Sequence, residues 1–261
     1  MLTFATIAPH SPLLIPTVGK ENIDKLAKTI EALADLEGDF YQSQIDTVVI
    51  ITPHGPVHEE AFVINFSPRY KGQLKDFGDF STKKEYTGDN ELSYKIKESL
   101  ETTAPLQLHT DESLDYGCVV PLYFLAAHCP KINIIPISCS GLSYKAHFDF
   151  GESIIKTLSN SPKNIALIAS ADLSHKLNKK SPDGYSPKAK KFDQKLIEDL
   201  EKKNTENILN LQPKEVANVS ACGIRSIAVL LGAIANINYQ PELLSYEGPF
   251  GVGYMVMKMR L

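Results

Sequence analysis

The sequence is poor in several things, and each absence removes a class of function. Its 27 Lys and Arg stand against 31 Asp and Glu, a formal charge of −4, so it lacks the basic excess that a nucleic-acid footprint needs. The longest apolar stretches, Cys118 to Ala127 and Ile227 to Ile237, fall short of the ~18 residues of a membrane span. No Lys or Arg precedes Lys20, and Pro9, Pro12 and Pro16 interrupt the apolar start, which makes a poor secretion signal. A soluble, cytoplasmic protein is expected. The four cysteines are unevenly spaced and form no CxxC pair, against both a disulfide framework and a zinc knuckle. Each reads first as a small buried hydrophobe. There is no GxSxG elbow and no GxxxxGK[ST] loop, and Gly248, Gly251 and Gly253 do not lead from a strand into a helix. A serine hydrolase and a nucleotide-binding protein are therefore unsupported. Nothing repeats and no Ser/Gly/Pro-rich linker divides the 261 residues, so one domain is expected.

What is present is an alternation of short β-branched runs with helical patterns, the signature of a mainly parallel central sheet with helices on both faces. The strand candidates are Leu2 to Ile7, Thr47 to Thr52, Ala61 to Phe66, Ile132 to Ser138 and Ile165 to Ser170. The run from Thr47 to Thr52 is apolar on both faces and reads as a central strand. Glu21 to Gln44 carries Ile23, Leu26, Ile30, Leu33 and Leu36 at helical spacing, which predicts a βαβ unit with the first two strands. Further helices are predicted over Glu91 to Thr102, Val119 to Ala127, Tyr144 to Leu158, Pro187 to Lys203 and Ala221 to Ala235. The end of the chain reads as two strands around a turn at Tyr246 to Gly251.

In such folds ligands bind beyond the carboxyl ends of the strands. Three of the seven histidines follow a predicted strand by a few residues: His10, His54 and His175. A single loop histidine is usually just a solvated or satisfied side chain, but three in equivalent places point to a shared purpose. The prolines beside His10 and His54 stiffen their loops, and Gly55 permits a sharp turn next to the imidazole. Two neutral imidazoles and a third donor make a mononuclear metal site that leaves positions open for substrate and oxygen. His175 is the candidate proton carrier and Asp172 the carboxylate expected to orient it.

The stretches Ala8-Pro-His-Ser-Pro-Leu-Leu-Ile-Pro16, Thr52-Pro-His-Gly55, Leu114-Asp-Tyr-Gly-Cys-Val-Val-Pro-Leu122, Ser170-Ala-Asp-Leu-Ser-His175 and Ser245-Tyr-Glu-Gly-Pro-Phe-Gly-Val-Gly-Tyr254 resemble the catalytic LigB-type subunit of class III extradiol ring-cleavage dioxygenases, in the branch related to Memo proteins. The match runs in order through nearly the whole chain, so one catalytic-type domain is expected to span residues 1–261. The resemblance implies a non-haem Fe(II) site with His10 and His54 as ligands and His175 as acid and base. It further implies a small aromatic substrate and O2 as partners, without nucleic acid or membrane, and leaves self-association open.

Two departures from the ring-cleaving pattern stand out. That pattern implies a glutamate ligand just before the helix beginning near Ala221, where this chain has Val219-Ser-Ala-Cys-Gly-Ile-Arg225. Memo proteins resemble it there, with a cysteine near the metal, which makes Cys222 the expected third donor. A thiolate favours Cu(I) or Zn(II) as alternatives to iron, and a helix N-terminus and a metal both lower a thiol pKa. The second departure is Tyr116, where ring-cleaving relatives carry histidine. Tyr116 and His109 are the expected substrate-binding residues. Glu247 is held as a reserve ligand, His58 as a surface residue, and His128 and His147 as structural. Two functions follow: an extradiol dioxygenase, or a Memo-like metal-binding protein with a redox or partner-binding role and no ring cleavage.

Overall fold

A computed structural model describes residues 1–261. Strands β1 (Leu2–Ala8), β2 (Thr47–Thr52), β3 (Phe62–Asn65), β4 (Arg69–Leu74), β5 (Asp79–Gly88), β6 (Leu106–His109), β7 (Ser113–Leu114), β8 (Asn133–Ser138), β9 (Ile165–Ser170), β10 (Gln240–Glu247) and β11 (Tyr254–Arg260) form one 11-stranded sheet. Its main path runs β10-β11-β1-β9-β2-β8-β5-β4-β7, with β3 pairing to β8 and β6 off that path. The four central strands, β1, β9, β2 and β8, are mutually parallel, and antiparallel pairs such as β1 with β11 flank them. The helices are α1 (Pro16–Gly19), α2 (Ala27–Gln42), α3 (Asn90–Leu100), α4 (Tyr116–Leu125), α5 (Tyr144–Ser159), α6 (Ala189–Glu201), α7 (Thr205–Leu209), α8 (Pro213–Val219) and α9 (Ile224–Ile234).

The expected α/β architecture is what forms, and β2 shows why. All six of its residues are buried; Val49 and Ile51 join the core that also holds Ile154 of α5 and Ile227 of α9. Val48 and Ile50 join the opposite core with Leu33 and Leu36 of α2 and Leu122 of α4. Alternate side chains of one strand thus fill two helix-covered faces, which accounts for four consecutive apolar residues, with hydrogen-bonded Thr47 and Thr52 at the two ends. β1, α2 and β2 form the expected crossover, with the two strands parallel and β9 lying between them.

Several boundaries also shift for tertiary reasons. The expected helix from Glu21 begins as a 3-10 turn over Lys20–Leu26, and α2 proper starts at Ala27. There the Glu247 carboxylate, distant in sequence, accepts from Thr29 N at 2.8 Å and from its hydroxyl at 2.6 Å, satisfying an orphan first-turn donor. The β4–β5 hairpin is not among the expected elements: β4 alternates buried Tyr70, Gly72 and Leu74 with Arg69 and Lys71, but β5 is mostly polar, with Lys83, Lys84 and Glu85, and gives no matching apolar run.

Candidate metal centre

The carboxyl ends of β1, β9 and β2 lie side by side, and the loops leaving them bring His10, Asp172 and His54 together. His10 Nε2 lies 3.0 Å from His54 Nε2 and 3.4 Å from Cys222 Sγ, and the donor atoms of these three residues all fall within 4.8 Å of one another. His175 Nε2 is 3.8 Å from the same sulfur. Cys222 arrives from the corner between α8 and α9. Ser220 turns the chain there with a positive φ of 53°, and Gly223 packs so closely on Ala171 and the Asp172 carbonyl that a Cβ would collide.

A proline fixes the His10 tautomer from a distance. Pro121 inside α4 has no N–H, so the Gly117 carbonyl one turn earlier lacks its helical partner. The Ser170 hydroxyl donates to that carbonyl at 2.5 Å, and its single proton is thereby committed. Toward His10 Nδ1, 2.9 Å away, Ser170 Oγ therefore accepts. His10 carries its proton on Nδ1 and aims the bare lone pair of Nε2 at His54 and Cys222.

Burial, reinforced by the positive field of neighbouring histidines, lowers both His10 and His54 to about 3, so both are neutral at ordinary pH. Two nitrogens at 3.0 Å then require a proton or a cation between them. Cys222 is shifted the other way from the expected lowering. It precedes the helix start, Gly223 being the N-cap of α9, and burial with the nearby Asp172 carboxylate raises its thiol well above the usual range. A bound cation would reverse that shift. Two ring nitrogens and one sulfur, gathered within 4.8 Å of one another, are a donor set whose chemistry suits a metal ion.

Asp172 does not orient His175. Its Oδ1 accepts from His10 N at 2.9 Å and its Oδ2 lies 3.6 Å from His10 Nε2, while its backbone forms an isolated bridge to Tyr254. Burial raises Asp172 to about 6. The carboxylate beside His175 is Asp183, with Oδ2 3.7 Å from Nδ1.

Tyr116 reaches the cluster. Its ring stacks on His54 with centroids 4.3 Å apart, and its hydroxyl lies 3.0 Å from the ring nitrogens. Thr52 joins the two loops, accepting from His54 N at 3.2 Å and donating to Asp115, the N-cap residue of α4, at 2.6 Å. His109 does not reach the cluster: it ends β6, a strand paired only through β3, and it is exposed there. Glu247 caps α2 instead of joining the three donors. His147 is a satisfied core residue, accepting at Nε2 from Ser140 N and facing the Ser143 carbonyl with Nδ1. His58 shares no helix with His54, and His128 pairs with Glu37 at the surface. Cys118 and Cys139 are buried and Cys129 partly so.

A polar cavity of about 360 Å³ adjoins His54, lined also by Asn65, Asp111, Asp115 and Ser138. A more apolar one of about 350 Å³ lies between α6, α7 and α8 and includes none of the clustered residues. Sequence reasoning missed Ser170, Gly117 and Asp183. Nothing local in the sequence pairs a strand-end serine with a proline-containing helix, so Ser170 and Gly117 meet only through the packing of β9 against α4.

A protein of Clostridium acetobutylicum, Protein CA_C1420, is 34% identical over 263 residues, which cover 97% of this chain and 56% of its own length. The 3,4-dihydroxyphenylacetate 2,3-dioxygenase of Escherichia coli is 26% identical over 166 residues, 59% of this chain and 59% of that protein. The chain thus spans little more than half the length of these curated relatives. The crystal structure of an uncharacterized Escherichia coli K12 protein, JW3007, shares the fold with a TM-score of 0.70 at 15% identity, over 98% of this chain and 99% of that one. The family model for the catalytic LigB subunit of aromatic ring-opening dioxygenases matches residues 4–257, and the chain belongs to that family.

Proposed function

We propose that this chain is a metal-dependent oxidoreductase of the extradiol ring-cleaving type, acting on a catecholic substrate with O2, and that His10, His54 and Cys222 hold the metal. One observation carries the reading: two imidazole nitrogens and a thiol converge within 4.8 Å, with His175 Nε2 3.8 Å from that thiol. Bound there, Fe(II) would supply a centre at which both oxygens of a catecholate and O2 meet and exchange electrons.

The chain's own residues provide positioning and proton movement. Ser170 keeps His10 in its Nε2-free tautomer, so the donor needs no rearrangement. Tyr116 Oη, beside His54, donates a hydrogen bond to a phenolic oxygen. Burial raises the Tyr116 hydroxyl above its usual range and keeps it a donor. His175 takes a proton from the diol at Nε2, and Asp183 at Nδ1 stabilises the resulting imidazolium. The test is anaerobic loading with Fe(II), then catechol or protocatechuate and O2, following the yellow ring-opened product. Turnover that falls in His175→Ala while metal content is kept supports the roles; no turnover across a catechol panel overturns the dioxygenase reading.

Cys222 favours a second reading. No carboxylate is among the three clustered donors, and thiolate suits Cu(I) or Zn(II) better than an oxygen-rich iron triad does. A Memo-like metal-binding protein without ring cleavage would bind copper tightly and lose it in Cys222→Ser. Fe(II) affinity unaffected by that substitution counts against the thiolate ligand.

A further inference from the structure

Beyond the metal and proton groups, the rings at the site form a path to the surface. His10 and His54 meet edge to face at 4.7 Å, His54 stacks on Tyr116 at 4.3 Å, and Tyr116 meets Phe77 at 5.2 Å and 72°. Phe77, the outermost, is 41% exposed. Packed edge-on against Tyr116, the ring leaves apolar surface open beside the site, which a bound apolar group would cover.

The ring is also held in place. Phe77 ends the short turn Lys75–Phe77 at the tip of the β4–β5 hairpin, where Gly78 adopts a positive φ of 79°. The next residue, buried Asp79, anchors the tip. Its Oδ1 accepts from Ser81 N at 2.9 Å, Ser81 Oγ at 2.7 Å and Thr82 N at 3.1 Å. Its Oδ2 accepts from Thr17 Oγ1 at 2.7 Å, and Thr17 belongs to α1, the helix entered from the His10 loop. The chain segment that carries the metal-facing histidine thus also fixes the hairpin, so Phe77 keeps its position relative to the site without first being ordered by a ligand.

We infer that Phe77 determines substrate selectivity, forming with Tyr116 an aromatic platform that favours catechols bearing an uncharged, apolar substituent on the side away from the diol. The inference rests on the proposed diol-binding function of the same site. A phenyl ring rewards apolar and aromatic contact and offers a carboxylate no partner, so the platform discriminates by substituent.

The test uses the full chain loaded with Zn(II), which holds a diol without redox turnover, and measures binding by calorimetry. Phe77→Ala should weaken 4-tert-butylcatechol about fivefold, weaken protocatechuate and unsubstituted catechol much less, and leave Zn(II) affinity unchanged. Phe77→Leu, which keeps an apolar side chain, should recover part of the loss. Equal losses for all three diols, or no loss for the butyl compound, overturn the inference. Because the chain has no tryptophan, Phe77→Trp places a single indole reporter at this point. If no catechol binds the loaded wild-type protein, the ring-cleavage reading fails, and the reporter judges the platform separately. Saturable quenching by non-chelating 4-tert-butylphenol supports it, and linear, unsaturable quenching overturns it.

Discussion

Ser170 Oγ stands 2.9 Å from His10 Nδ1 and gives its own proton to the Gly117 carbonyl, so a serine at the end of β9 sets which nitrogen of a histidine after β1 is free. Ser170→Ala should lower metal affinity by roughly 10- to 100-fold, the usual effect of removing a hydrogen bond that orients a ligand. It should also destabilise the fold by roughly 2 kcal/mol or more, since a buried carbonyl and a buried N–H each lose their partner. Competition titration against a chromophoric chelator measures the first effect and denaturant unfolding the second. An affinity equal to wild type would show that the tautomer is held by other means.

His10→Ala or His54→Ala should each abolish stoichiometric metal binding, because only three donors converge and two remaining ligands hold an ion weakly. Metal content after purification and dialysis, by elemental analysis, is the measurement. Retention of one equivalent in the double variant would place the ion elsewhere.

The metal-free protein should lose stability as pH falls from about 6.5 toward about 3. His10 and His54 sit at about 3 when folded, so across that range the unfolded chain, with ordinary imidazoles near 6.5, binds more protons. His147, lowered to about 4 by burial, acts in the same sense. Asp172 and Asp193, raised by burial to about 6 and about 7, oppose it. Their contribution is complete below the ordinary carboxyl value of 3.8 and is lost as pH rises through those values. Three histidines against two carboxylates leave a net fall below pH 6. Denaturation midpoints between pH 7 and 4 should show it, with a shallower slope in His54→Ala; midpoints that rise on acidification would contradict the neutral, buried pair.

Glu247→Ala should cost about 1 kcal/mol by removing the acceptor for the Thr29 N–H and hydroxyl at the start of α2, while leaving metal affinity untouched. Thermal unfolding and metal titration of the same variant separate these effects. A loss of metal would restore Glu247 as a ligand.

The central parallel strands could be read directly from the sequence, because a strand covered on both faces is apolar along its middle, as Val48–Ile51 of β2 is. The positions of His10, His54 and His175 after strand ends were legible for a related reason: parallel strands deliver their carboxyl ends to one side of the sheet. The hairpin 69–88 was not legible, since β5 is mostly polar and solvent-facing and only short β4 alternates buried with exposed residues.

Only the folded chain decided which partner each polar group takes. The insertion of β9 between β1 and β2 put Ser170 and Asp172 against His10. The α8–α9 corner brought Cys222 to the same point from a remote part of the chain. His175 received Asp183 in place of the expected Asp172, and His109 stayed at the surface. Periodicity reports which face of an element is buried, and that much the sequence by itself determined. Hydrogen-bond partners across 100 or more residues depend on strand order and close approach, which are properties of the assembled sheet.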